Sequence, residues 1–480
     1  MGGLKLDSFL LKSFLGISDY EDRGTLGAFK FASSIDVRRK IDSIKAQQGL
    51  TDDLATGTFT SPPKFIVDSA DGNSYFAVGL KIYERTSAGV YSLQYTDVAG
   101  DGNINGMGEW VNDAGDTFLY YTTNTRLNRK QLLGTGYTPG DHDDTWDDVN
   151  ATVNGQTYPK TNLTTAAYHT MAEVNGALLG CNLDYLFKVG YDDSYTHQAV
   201  RLRLGHTAKT LIESGIIAKI GANETAAREK GMLYIWDTDD QNYTDKLSLP
   251  FSGINAIIET EVGIVQYGTD GMLYFFGDKA KVPIMRIPGG GQVDPDGMES
   301  DEGLALMGVY GNGAGYTGVY TYGRKKKNAD FALNCEYQFN CDAIYAVAKI
   351  GSDILFTYKS GANYGVKKVD TSNKASTAKY YSLDLKAPRK LQRPVNWSMV
   401  VLQMAALPAN CSVEAWRKVD KGSSWTQCNI EGGGLTYDTE GGTEATFLVG
   451  DNGKVFELQI VLNCSGNNSP EIYEAQIFFE

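Results

Sequence analysis

The chain has 480 residues and a formal net charge of −14, with Gly (54) and Tyr (29) abundant and Pro modest (12). This is a strand-and-turn composition, and no stretch approaches ~18 consecutive apolar residues, so no membrane insertion is expected. The acidity argues against nucleic-acid binding over an extended surface, because phosphate contact needs Lys and Arg clusters. The first reading of it is solubility, and the second is a channel wall that lets DNA pass without adhering.

In chain order, MGGLKLDSFLLKSFLG carries Lys5 and Asp7 inside its apolar run and shows no small-residue cleavage site, which makes a poor signal peptide. Leu6 stands where a myristoylation signal wants Ser or Thr. Residues 1–60 mix charge and apolar side chains without clean alternation, as in SSIDVRRKIDSIKAQQGLTDDL. Residues 4–14 can be drawn as a short amphipathic helix or as an extended arm, and the preferred reading is an arm that docks on a neighbour.

Residues 61–388 repeat one theme of strand, Gly/Asp/Asn turn, aromatic strand and charged edge. Its clearest copy is GIVQYGTDGMLYFFGDKAKVPIMRIP, Gly263–Pro288, where Asp270-Gly271 separates two apolar runs. Asp-Gly tolerates positive φ and is a strong hairpin signal. Weaker copies surround Asp71-Gly72 and Ala88-Gly89. A four-stranded sheet cannot bury both faces alone, and roughly 325 residues at ~45 per unit predict a β-propeller of about six to seven blades. Residues 389–480 have longer strands, with alternation in Val455–Ile460, and read as a C-terminal β-sandwich or jelly roll. The fold class expected is therefore all-β.

Chemistry is sparse. The six cysteines (Cys181, Cys335, Cys341, Cys411, Cys428, Cys464) form no C-x-x-C pair and read as free thiols. In DGNINGMGEWVN, Asp101, Asn103 and Asn105 alternate ahead of Gly106, as in the first half of a calcium loop, and Glu109 could close a looser site. Asn112 stands where the closing bidentate Glu would be, so an ordinary loop is the competing reading. The Asp141–Asp148 acidic run reads as a solvated loop, and GRKKKN (Gly323–Asn328) as a charged hairpin tip that protects an edge. VNDAGDTF resembles the turn motif of propeller sialidases: Asp113, Gly115 and Thr117 match, Phe118 replaces Trp and Val111 replaces Ser. That motif is a structural turn. The four histidines (His142, His169, His197, His206) fall in no triad motif, no phosphate-binding glycine loop is present, and no enzyme activity or cofactor is expected.

The arm with SIDVRRKIDSIKAQQGL, the opening blade ADGNSYFAVGLKIYER, the hairpin GVYTYGRKKKN and the ending YEAQIFFE resemble, in order of parts, virion structural proteins of tailed bacteriophages. The plan is similar to the propeller-bearing tail hub, or nozzle, proteins of short-tailed phages. The resemblance implies a ring oligomer around a DNA channel, assembled in the host cytoplasm and placed in the virion tail. Its partners would be further copies of itself, adaptor and fibre proteins, with DNA only as passing cargo. Two rivals remain: a tail-tip adsorption module that binds a host surface glycan, and, ranked last, a propeller glycoside hydrolase.

Overall fold

The computed structural model describes residues 7–18, 28–37, 42–97, 102–134, 150–159, 163–225, 230–249, 253–313, 315–323, 331–386 and 394–480, apart from 13, 15, 125, 154–155, 165–167, 261–262 and 277–280. Every regular element among the described residues is a β-strand. The chain divides into two compact units, one of Met1–Thr51, Ala314–Phe339 and Val369–Glu480, the other of Asp52–Gly313 and Asn340–Lys368.

The second unit is a β-propeller. Its first sheet pairs Pro63–Asp68, Ser74–Val78, Lys81–Arg85 and Tyr91–Thr96 in sequential antiparallel order. Gly106–Val111, Thr117–Thr122 and Leu127–Leu133 form the next. Four-stranded sheets follow over Met171–Arg201, His206–Leu249 and Ile254–Arg286. The Met298–Asp301/Leu304–Val309 hairpin comes next. The last sheet joins Ala343–Ile350, Asp353–Ser360 and Asn363–Lys374 to Gln48–Phe59, a strand from far upstream. The innermost strands touch in succession, from Pro63–Asp68 through Gly106–Val111, Met171–Val174, His206–Ser214, Ile254–Thr260 and Met298–Asp301 to Ala343–Ile350, which returns to Pro63–Asp68. The circuit is closed.

Burial explains why this arrangement forms. Ser74–Val78, Thr117–Thr122 and Ala177–Asn182 are buried at every position, because each is covered on both faces. Tyr75 and Ala77 pack with Leu119 and Tyr121 of the following sheet, while Phe76 and Val78 pack with Phe59, Leu355 and Val366 of the last one. Phe118 and Tyr120 turn the other way, onto Leu178 and Phe187. Leu179 and Cys181 continue onto Ala218 and Trp236. Alternate side chains of one strand thus serve two neighbours, and no sheet could bury its faces alone.

Four of the hairpin turns share one chemistry. Gly72, Gly89, Gly115 and Asp193 take φ of 85°, 79°, 81° and 60°. Each donates its N–H three residues back, to Ser69, Thr86, Asn112 and Gly190. This is the three-residue loop with a left-handed closing position. In VNDAGDTF, Asn112 Oδ1 accepts the N–H groups of Ala114 (3.1 Å) and Asp116 (2.9 Å), so the sialidase-like stretch is a hairpin turn. The turn expected at Asp270-Gly271 joins Gly263–Gly268 to Met272–Phe276.

The first unit holds two mainly antiparallel sheets. One runs Asp7–Leu11, Glu471–Phe479, Val395–Met404, Glu444–Gly453, Asn429–Ile430. The other includes Gly318–Gly323, Ala332–Gln338, Ala28–Ser33, Thr377–Ser382, Val455–Asn463, Ser412–Val419 and Thr426–Gln427. Trp397 of the first sheet stacks on Phe456 of the second, ring centroids 5.0 Å apart, and is fully buried. The expected division at 60 and 388 therefore meets a discontinuous one. Asp7–Leu11 is extended and pairs with Phe479–Ala475 of its own chain. Strands from 1–51 and 314–339 complete the sheets that 389–480 was expected to form alone.

Candidate functional site

The fourth and fifth sheets of the second unit, with the segments that lead into the third and sixth, line a cavity of about 610 Å³. Hydroxyl, amide and charged groups line it, among them Thr207, Lys209, Asn223, Glu224, Asn255 and Gln292, together with Tyr168 and Asp294. Asn223 holds its place by bonding the next sheet twice: Nδ2 donates to Ile254 O (2.9 Å) and Oδ1 accepts from Ile254 N (2.5 Å).

Asp294 sits in Asp294-Pro295-Asp296-Gly297, a β-turn closed by Gly297 N donating to Asp294 O at 2.8 Å. Proline presets the second position of such a turn. In the preceding Gly289-Gly290-Gly291 run, close approach demands the first glycine, where a Cβ would lie 2.1 Å from Asn312 O. Tyr168 donates its hydroxyl to Asp294 Oδ2 (2.9 Å) and Tyr310 to Oδ1 (2.7 Å). Lys64 lies over the Tyr168 ring, 4.6 Å from its centroid. Burial raises the Asp294 carboxyl above its ordinary range, against the two phenol donors and the Lys64 charge. Burial lowers Lys64, opposed by Asp294, and raises both phenols far above theirs. Asp296, on the same turn, accepts from Ile66 N (3.3 Å), and its own carbonyl accepts from Val347 N (3.1 Å). Burial, then the nearby Glu299 and Asp294 charges, push the Asp296 carboxyl up to about 7 despite the Ile66 bond. Glu299 accepts from the backbone N–H of Ser300 (2.7 Å) and Lys349 (3.4 Å).

Each of these carboxylates is bonded to the fold, and together they pin the innermost strands of the first, sixth and last sheets. A glycosidase needs one carboxylic acid and one free carboxylate flanking a bond. Here both Asp294 oxygens already carry phenol hydrogen bonds.

A second polar cluster locks the last sheet to the first. Arg85 grips Asp53 with two bonds, Nε to Oδ2 at 2.6 Å and Nη2 to Oδ1 at 2.9 Å, and reaches Asp353 at 3.1 Å. Tyr91 adds a 2.7 Å bond to Asp53. Burial would raise Asp53, but the Arg85 and Tyr91 hydrogen bonds and the Arg85 and Lys368 charges outweigh it and hold the carboxyl below its ordinary range.

The residues expected to matter distribute as follows. Asp101 lies outside the described residues. Asn103 is exposed, Asn105 donates to Asn124 Oδ1 (3.0 Å), and Glu109 accepts from Ala70 N at 3.2 Å. Asn105 and Glu109 are four residues apart along extended backbone, about 13 Å at the strand rise. Calcium ligands stand at roughly 2.3–2.6 Å from the ion, so the described members of the set do not converge on one cation. Among the described residues no three His, Cys, Asp or Glu side chains gather as a metal site. The Asp141–Asp148 run, His142 and Arg324–Asn328 lie outside the described residues.

His169 Nδ1 contacts Cys181 O (2.8 Å), His197 sits between the hydroxyls of Tyr185 (2.9 Å) and Tyr195 (3.0 Å), and His206 Nδ1 meets Tyr234 (2.9 Å). All three are buried, and burial lowers each below the ordinary histidine value. The cysteines are free, four of them buried. The Asp294 cluster was missed from sequence; its one local signal is the Asp-Pro-Asp-Gly turn after three glycines.

No family model matches the chain, and no curated protein matches it. Solved structures do. A chain of the mitotic checkpoint complex aligns with 9% identity and a TM-score of 0.47, over 67% of this chain and 90% of that one. The extracellular domain of a hybrid two-component system from B. thetaiotaomicron aligns with 12% identity and a TM-score of 0.47, over 76% of this chain and 43% of that one. The Pan2 WD40 domain of Neurospora crassa aligns with 9% identity and a TM-score of 0.45, over 71% of this chain and 99% of that one. At such identities the likeness concerns fold alone. The chain is an all-β protein with a β-propeller.

Proposed function

We propose that this chain is a structural protein of a tailed-phage virion, of the tail hub or nozzle type, which assembles in copies as a ring around the DNA channel. The observation that carries the scaffold part of this reading is the use made of the side chains best suited to chemistry. Asp294, Asp296, Glu299 and the Arg85–Asp53 pair are bonded across sheets, and the three described histidines are bonded within theirs. The ring part draws support from Asp7–Leu11, which among the described residues pairs on one side only and leaves Leu10 43% exposed. Such an edge offers backbone donors and acceptors to another copy. The net charge of −14 suits a wall that DNA passes without adhering. The ring of innermost strands supports a count of seven blades, within the range expected from the repeat.

Native mass spectrometry of the purified chain tests the assembly. A closed oligomer that collapses to monomer when residues 1–12 are deleted supports the reading. A monomer at all concentrations, in the presence of its neighbouring tail proteins as well, counts against it. The glycan-binding alternative is favoured by one feature, a groove on the first unit.

A further inference from the structure

Three adjacent strands of the first unit, Thr377–Ser382, Val455–Asn463 and Ser412–Val419, hold strict register. Tyr381, Gln459 and Trp416 stand in one row, Lys379, Val461 and Glu414 in the next, Thr377, Asn463 and Ser412 in the third. Side chains alternate across a sheet, so these rows share one face. The opposite face presents Ala378, Tyr380, Ile460, Leu462, Val413 and Ala415, all at most 1% exposed. The first face is thus an outer surface, and it is not an ordinary solvated one.

It forms a groove of about 430 Å³, floored by Gln459, Val461 and Asn463 and walled by Tyr381, Glu414 and Trp416, with Trp425 beside them. A hollow of about 210 Å³ adjoins it through Tyr381 and Trp425 and adds Tyr316, Lys30 and Glu457. The polar groups are held in place. Glu414 accepts from Trp416 Nε1 (2.8 Å) and from Asn463 Nδ2 (2.9 Å), and Lys30 pairs with Glu457 at 2.9 Å. The Trp425 ring meets Tyr381 edge-on at 5.6 Å and carries Lys418 Nζ 5.3 Å from its centroid. Trp416, Trp425 and Tyr381 remain half-buried and Tyr316 is 37% exposed.

The geometry points to an oligosaccharide as the occupant. A sugar ring presents an apolar C–H face and a rim of hydroxyls that both donate and accept. The groove and the adjoining hollow offer half-exposed aromatic rings beside an amide pair, two carboxylates and three hydroxyls, the mixture that fixes such a rim. Lys30, Lys379 and Lys418 are interspersed with Glu414 and Glu457, so no single-sign field is built for a nucleic-acid backbone. The polar floor equally ill suits an apolar peptide. This inference stands independently of the virion reading.

The test is binding of the full chain to an array of defined oligosaccharides and bacterial surface polysaccharides, with single-stranded DNA in parallel, followed by tryptophan-fluorescence titration of any hit. At least one saccharide should bind and shift the tryptophan emission. Trp425→Ala, on a half-buried ring, should weaken it about tenfold, the scale of one lost stacking contact. Tyr381→Phe, which removes only a hydroxyl, should weaken it severalfold with unchanged melting. Tyr191→Ala, on an exposed ring of the second unit, should bind as the parent does. No saccharide binding, binding that both groove variants leave untouched, or DNA as the sole ligand lost with Trp425, would each overturn the inference.

Discussion

Single residues in the propeller act mainly by pairing charge where water is scarce. Asp53 and Arg85 have side chains 4% and 3% exposed, and removal of Asp53 takes from Arg85 its two-bond partner and leaves it only the contact to Asp353. Asp53→Ala should cost about 3–5 kcal/mol in urea unfolding, far beyond a surface ion pair. Asp296 acts in the opposite sense. Its folded value of about 7 lies above the ordinary 3.8, so the folded protein keeps a proton that the unfolded chain releases. Stability contributed by that proton is fully present below about pH 4 and is lost as pH rises towards 7. Asp296→Asn should leave melting unchanged at pH 4 and raise it by about 2–4 °C at pH 8, read by calorimetry. An equal change at both pH values would contradict the assignment. Neither role was legible in the sequence. The partners of Asp294 come from segments as distant as Lys64, Tyr168 and Tyr310, and no local pattern marks their convergence.

At the scale of elements, local chemistry was readable wherever it was local. The turns at Asp71-Gly72, Ala88-Gly89 and Asp270-Gly271 form as expected, because left-handed backbone restricts the residues that can occupy it. Two glycines separate the backbone cost from crowding. At Gly115 (φ 81°) a Cβ meets nothing within 4 Å, so Gly115→Ala should cost only the left-handed penalty, about 1–2 kcal/mol. At Gly271 (φ 75°) a Cβ would stand 2.8 Å from Gly290 Cα, and Gly271→Ala should cost measurably more in the same urea experiment. Equal costs would show that the Gly290 segment yields freely. Long-range pairings gave no such signal. Asp7 opposite Phe479, and Ser33 opposite Lys379, join strands that resemble any other edge in composition. The fully buried strands also lack period-2 alternation, since both faces meet a neighbouring sheet, and that blurs where one blade ends.

At the scale of the molecule, the repeat predicted a propeller and the closed circuit of innermost strands is one. The compact units cut across the expected boundaries because the strand Gln48–Phe59 closes the last propeller sheet while Ala28–Ser33 joins Thr377–Ser382 in the other unit. Neither closure could be read from residues 1–60, whose strands are defined by remote partners. The proposed function rests on a fold whose polar interior is engaged in hydrogen bonds and ion pairs, and the virion part of it is a proposal from the sequence. The most direct measurement is fractionation of a lysate of the source culture on a density gradient, with the chain located by mass spectrometry. The account predicts that it bands in fixed stoichiometry with DNA-filled particles. Recovery only in the soluble fraction, away from particles, would contradict it.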